Sequence, residues 1–347
     1  MTDKHATIAV TGLAAISAAG VGTQALLNAL EDGRSRLRPV PADILGESGL
    51  FWGSAEDFKV SDFMPPLKAR KFDRCSLFAV IAAGMALENA GIDRAVEDPA
   101  RIGILLGCGF GGIENSEEFL RGYFTKGADG LAPLLFPNTV PNSPASNASI
   151  EHGLKGPNVT LVQRFCSAES AFMMACRFLQ EDRADIILTG GVDELNPVML
   201  RGLKAAGQLH GYGRNFGEGA GFVVLEKEER AGERKAAILA RAGDIRTVGR
   251  LVKGAEEEGI SRLLGASRDY SLVSLSGVAE EMRKFQAALT SVRLLETGKI
   301  LGRSLAMGGL SMVSLVLSLR PGQRALHLAA SPEGPYFAID FVGGPSV

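Results

Sequence analysis

Cysteine is scarce in this sequence, and the little there is excludes two kinds of framework. Cys75, Cys108, Cys166 and Cys176 form no CxxC pair and no dense cluster, which argues against a disulfide scaffold and against a structural zinc site. Histidine is equally sparse. His5, His152, His210 and His327 are scattered, with no HExxH or other ligand motif, so neither a metal nor a cofactor is expected. An excess of one charge is also missing: 37 basic residues stand against 39 acidic ones, and nothing predicts a broad nucleic-acid surface. Long apolar runs are absent too. Residues 7–30 carry no charge, but nine of them are Gly, Thr, Ser, Gln or Asn. That is too polar for a membrane span of about 20 apolar residues. The start, MTDKH, sets an Asp beside its Lys and lacks the basic opening of a signal peptide. The expectation is a soluble cytoplasmic protein with no membrane or nucleic-acid partner.

Glycine and apolar residues are what the chain has in quantity. Gly accounts for 43 of 347 residues and hydrophobic residues for 46%, which suits a real core crossed by many tight turns. "TIAVTGLAAIS" reads as a strand that breaks at Gly12, and "GTQALLNALEDGRS" as a helix stopped by Gly33. The clearest helix is "KFDRCSLFAVIAAGMALENAGI", with Asp73 as N-cap and Gly91 as the C-terminal stop. "RIGILLGCGFGG" is a buried-type strand entering a glycine turn. The Pro-, Asn- and Ser-rich stretch from Leu131 to Asn158 reads as a loop and a short helix. "ADIILTGGVDE" and "GAGFVVLEKEER" are strand-like, and the charged "EKEERAGERK" marks a seam. Beyond it, strand candidates such as "SLVSLSG", "SVRLLETG", "RALHLAA" and "YFAIDFV" alternate with the helical "AEEMRKFQAALT" and "LAMGGLSMVSLVLSL". Alternation of this kind predicts a layered α/β fold.

Three motifs raise functional questions. "GCGFGG" satisfies GxGxxG at Gly107, Gly109 and Gly112, the fingerprint of a dinucleotide-dependent oxidoreductase. The acidic residue expected at the end of a following strand is not there, and in so glycine-rich a chain the match also reads as simple strand-and-turn structure. Lys68, Arg70, Lys71 and Arg74 cluster at the start of the clearest helix, either as a solvated face or as a landing patch for an acidic partner. Cys166 precedes the helix-compatible "AESAFMMACRFLQ". A helix N-terminus lowers a thiol pKa, but a nucleophile also needs a base and an oxyanion hole, and no partner histidine is legible.

Taken together, "IAVTGLAAISAAG", "KARKFDRCSLFAVIAAGMALENAG", "RIGILLGCGFGG", "GLKGPN", "ADIILTGGVDE" and "FGEGAGFVVLE" resemble the β-ketoacyl synthases, the condensing enzymes of fatty-acid and polyketide assembly. The pieces occur in that family's order over most of residues 6–230, with a fainter match beyond. The resemblance implies a thiolase-like α/β fold, two similar α/β halves in a five-layer α-β-α-β-α stack, with an N-terminal half at 1–230, a shortened C-terminal half at 231–347, and assembly as a dimer.

The resemblance also locates the expected catalytic positions. Active members read Gly-Pro, seven residues, the nucleophilic Cys, then 24 residues and Gly-Gly. Here Gly156-Pro157 and Gly190-Gly191 keep that register, and Phe165 falls at the nucleophile, one place before Cys166. Ser276 in "VSLSG" stands where the first histidine belongs. Arg303 in "GKILGRSLAMGG" replaces the second, with Lys299 one residue out of register. The gating loop corresponds to "LAASPEGPY", with Pro332 and Glu333 inside it. Arg stays protonated and cannot stand in for a neutral imidazole. The expectation is a degenerate acyltransferase lacking the Cys-His-His set, similar to a chain-length-factor subunit. Its partners would be an active ketosynthase, or a second copy of itself, and an acyl carrier protein docking at Lys68, Arg70 and Lys71. The alternative is a working synthase with a rearranged site that uses Cys166.

Overall fold

The computed structural model describes residues 6–209, 213–265, 269–286, 288–289, 292–332 and 334–345. In chain order the strands are β1 (Ile8–Ser17), β2 (Gly20–Val21), β3 (Arg38–Pro39), β4 (Phe51–Gly53), β5 (Ile102–Cys108), β6 (Asn158–Leu161), β7 (Ile186–Asp193), β8 (Asn215–Gly217), β9 (Gly219–Lys227), β10 (Ala240–Val248), β11 (Leu272–Gly277), β12 (Arg293–Leu295), β13 (Arg324–Ala330) and β14 (Tyr336–Gly343). β3, β4 and β8 form a small sheet of their own. The others make an 11-stranded sheet in the order β12-β11-β13-β14-β10-β1-β9-β7-β5-β6, with β2 folded back on β1.

That order divides at the β1–β10 junction, where only Ile8–Val10 pair with Ala240–Ala242. On one side, β5 runs parallel to β6 and β7; on the other, β11 runs parallel to β12 and β13. Five layers follow from the packing. The Arg74–Asn89 and Ser143–His152 helices cover the outer face of β1, β9, β7 and β5, through Phe78, Ile81, Leu106 and Val224. The Ser167–Gln180 and Gly308–Leu317 helices lie between the two halves of the sheet, where Phe172, Leu225, Met312 and Phe341 share one core. The Glu256–Leu264 and Ala279–Gln286 helices close the far side over Leu275 and Leu328. The fold is therefore the thiolase-like α-β-α-β-α arrangement.

Local chemistry explains the boundaries. Asp73 caps the first of these helices by accepting the Ser76 amide at 2.8 Å, and Gly91 beyond its end adopts φ 64°. The middle helices need room against the sheet, which two glycines supply. A Cβ on Gly107 would lie 2.3 Å from the Ala168 nitrogen, and one on Gly191 would lie 1.9 Å from the Ala306 oxygen. One expectation is corrected here. β1 does not break at Gly12 but continues to Ser17, absorbing the glycine as a bulge between Val10 and Gly12 in its pairing with β9. Among the described residues no helix is long and apolar enough to cross a membrane.

Candidate functional site

The site grows from one turn of chain between β6 and the Ser167–Gln180 helix. Residues Arg164–Cys166 form a 3-10 turn that packs against β11 and β13. Arg164 enters it at φ 51°, a left-handed conformation uncommon for a residue with a Cβ. The next two side chains diverge. Phe165, only 2% exposed, packs against Val278 and Leu305. Cys166 instead joins Ala329 and Phe337 on the second half of the sheet. Val278 lies two residues beyond Ser276 in the chain and Leu305 two beyond Arg303, so Phe165 packs against the segments that carry both of the other expected positions.

Cys166 is placed as a packing residue. Its thiol donates to the Pro335 carbonyl oxygen at 3.1 Å. Burial pushes its pKa well above the ordinary thiol range, and the nearby Glu169 carboxylate adds to the effect. Desolvation thus outweighs the help expected from a helix N-terminus. Among the described residues no imidazole bonds to this sulfur; the described histidines, His152 and His327, bond elsewhere.

Ser276 lies fully inside, on the last turn of β11, and its hydroxyl has no hydrogen-bond partner among the described residues. Next to it runs a polar row that sequence reasoning missed. Glu169 Oε1 lies 2.8 Å from His327 Nε2, and His327 Nδ1 lies 3.3 Å from Ser274 Oγ, all between the two sheet halves. The available signal was a glutamate and a histidine set among apolar neighbours, in "SAESAF" and "RALHLAA".

Two carboxylates at the end of β7 hold the neighbouring loops. Asp193 accepts the Gly109 amide at 2.7 Å and the Ala306 amide at 2.6 Å, while burial raises its pKa to about 6. Glu194 accepts the amides of Glu114 and Cys75, and burial, with the nearby Asp73 and Glu114 charges, lifts it to about 8. The Gly109 amide of the "GCGFGG" turn and the Ile113 and Glu114 amides at the following helix start are therefore satisfied from within. A dinucleotide pyrophosphate would find these three taken, which counts against the oxidoreductase reading.

Comparison with known proteins gives the family. Residues 5–231 match the family model described as the β-ketoacyl synthase N-terminal domain. The chain belongs to the β-ketoacyl synthase family. It is 30% identical over 251 residues to 3-oxoacyl-[acyl-carrier-protein] synthase 2 of Vibrio cholerae, covering 67% of this chain and 61% of that protein. A Vibrio harveyi relative is 29% identical, and the chain spans about 60% of its length. The Staphylococcus aureus (strain COL) protein of the same description is 26% identical across 98% of this chain and 92% of its own. Among solved structures, the ishigamide ketosynthase/chain length factor matches with a TM-score of 0.83 at 21% identity, over 97% of this chain and 99% of that one. A type II PKS ketosynthase in complex with its acyl-carrier protein also scores 0.83, at 20% identity, over 98% and 99%. These structures bear on the fold.

In this β-ketoacyl synthase family member the remaining expected positions fall at the surface or close to it. Arg70 and Lys71 are exposed, whereas Lys68 is paired with Glu151 on the Ser143–His152 helix. Pro332 sits in a tight turn after β13, closed by the Gly334 amide donating to the Ser331 carbonyl at 2.9 Å. Glu333, the other expected gate residue, lies outside the described residues. Arg303 is held by its main chain to β8, through Asn215 and Gly217, and its side chain faces a cavity.

Proposed function

We propose that this chain is a catalytically degenerate ketosynthase-family subunit, similar in role to a chain length factor, that pairs with an active ketosynthase. The observation that carries the reading is the Phe165 ring, packed against Val278 and Leu305 at the nucleophile's register position while the adjacent thiol turns away. A phenyl ring there cannot take an acyl group, and it fills the space an acyl chain would enter.

The surface supports a partner. Among the described residues β6 is the last strand of its sheet side and pairs only with β5, leaving one edge open. Just past it, exposed Val162 lines an apolar groove of about 630 Å3 with Phe110 and Pro141. Phe124 and Leu134, 78% and 91% exposed, extend the apolar character of this segment. Arg70 and Lys71 are the candidate landing point for an acidic carrier protein, with Lys68 contributing less because Glu151 engages it.

Co-expression with a ketosynthase encoded nearby tests the proposal. A co-purifying heterodimer whose product length changes when Phe165 is altered supports it. Recovery of a homodimer alone, with no effect on any partner's products, refutes it.

A further inference from the structure

The Arg303 guanidinium has no counter-charge bonded to it among the described residues. Among the described residues the Arg303 side chain makes no hydrogen bond and no ion pair, although it is largely withdrawn from solvent. Burial pushes its pKa down, and the one carboxylate acting on it, Glu296, already accepts Lys299 Nζ at 2.5 Å. The main chain that carries the guanidinium is fixed, and the base of its side chain is closely packed. Arg303 donates its amide to Asn215 at 3.0 Å and accepts from Gly217 at 2.8 Å, and Gly298 is so close that a Cβ there would lie 2.9 Å from Arg303 Cγ.

The side chain faces a cavity of about 250 Å3 whose wall includes Gly277, Met282, Arg283, Glu296 and Lys299. Three cations, Arg283, Lys299 and Arg303, face one carboxylate. Gly277 ends β11 and Glu296 follows β12, so the cavity opens at the carboxyl ends of parallel strands. That is where α/β sheets of this kind place ligands. A partly desolvated cation without a partner is costly, and an anion in the cavity relieves that cost. The planar fork of Arg matches two oxygens of one carboxylate or phosphate.

The geometry points to an oxyanion site at Arg303, taking a small molecule or group with a terminal carboxylate or phosphate, held by the guanidinium fork and by the Lys299 and Arg283 charges at the rim. The lining named here comes from this chain, so the site can be tested without a ketosynthase partner.

Calorimetric titration and thermal melting of the full chain at constant ionic strength test it, with acetate, malonate and inorganic phosphate as probes and chloride as the control. Saturable binding of at least one probe is expected. A response to the carboxylates alone assigns a carboxylate ligand, and a response to phosphate alone assigns a phosphate-bearing one. Arg303→Met should weaken that binding by about tenfold or more, a charged hydrogen bond's usual worth. It should leave the anion-free melting temperature unchanged or higher, because an apolar side chain replaces an unpaired charge. Glu296→Gln removes the competing carboxylate and should tighten binding. The inference is overturned by no saturable response to any probe, by equal binding in Arg303→Met, by a less stable anion-free Arg303→Met, or by unchanged affinity in Glu296→Gln.

Discussion

The Cys166 sulfur lies 3.1 Å from the carbonyl oxygen of Pro335, a residue 169 positions further along the chain. The thiol is thus a hydrogen-bond donor inside the seam between the helix start and the β13–β14 turn. Burial raises its pKa well above the ordinary thiol range, so the thiolate fraction at neutral pH is negligible. Folded protein at pH 8 should leave Cys166 unmodified by iodoacetamide, and intact mass spectrometry should show no adduct after incubation with acyl thioesters. Denaturant should expose it to stoichiometric alkylation. A Cys166-dependent acyl adduct on the folded chain would reverse the assignment.

Phe165→Ala empties the space between Val278 and Leu305. Loss of a buried phenyl ring costs about 3–5 kcal/mol, to be read from denaturant unfolding. Phe165→Cys is the more informative change, since it puts a thiol at the proposed nucleophile position. It should become acylated by reactive thioesters while still failing to form a carbon–carbon bond, because Ser276 and Arg303 supply no imidazole. Full condensation by this variant would show that the two histidine positions are dispensable.

Glu194 should make the fold less stable as pH rises. Its value of about 8 in the folded chain stands above its ordinary 4.5, because burial, followed by its acidic neighbours, disfavours the carboxylate. The folded state therefore holds the proton more tightly than the unfolded one. The stabilisation is complete below pH 4.5 and is lost progressively as pH climbs to about 8. A difference of one pH unit between states is already about 1.4 kcal/mol. Melting temperatures between pH 5 and 9 should fall in the wild type and flatten in Glu194→Gln; parallel profiles would contradict this.

Glu218 carries the opposite sign. Burial alone would raise its pKa, but the Arg74 hydrogen bonds and charge, with the Leu195 and Ala55 amides, hold it below the ordinary 4.5. Its contribution is present above pH 4.5 and disappears as pH falls through the lower folded value. Arg74→Ala leaves a fully buried carboxylate without its cation, at a cost of about 3 kcal/mol or more. Chemical denaturation at pH 7 should register that loss, and at pH 3 the variant should lie closer to the wild type. An equal difference at both pH values would place the effect in packing instead.

Arg70 and Lys71 are exposed and form no ion pair among the described residues, whereas Lys68 is paired with Glu151. Reversing the first two charges should weaken carrier-protein binding, more at low salt than at high salt. Lys68→Glu should do less to binding and more to stability. Binding unchanged by the double reversal of Arg70 and Lys71 would move the docking surface elsewhere.

Much of the architecture was legible because it rests on local chemistry. Asp73 and Gly91 bracket a helix by cap and left-handed stop, and the apolar strands around "ILLGC" and "IILTGG" read directly. Gly12 misled because a glycine in a strand signals either an ending or a bulge, and only pairing with β9 selects between them. The Glu169–His327 contact spans 158 positions and has no local pattern that could reveal it.

Sequence by itself determined the spacing: seven residues lie between Gly156-Pro157 and Phe165 and 24 between Phe165 and Gly190-Gly191, which on the family resemblance is the proposed nucleophile position, one place before Cys166. Tertiary structure alone decided what each residue does there. After Arg164 at φ 51° the ring faces Val278 and Leu305 and the sulfur faces Pro335, and the pairing of Glu296 with Lys299 leaves the Arg303 charge unmatched. The reason is physical: spacing along a chain is covalent and readable, whereas burial, pKa and pairing depend on which distant segments the fold brings into contact.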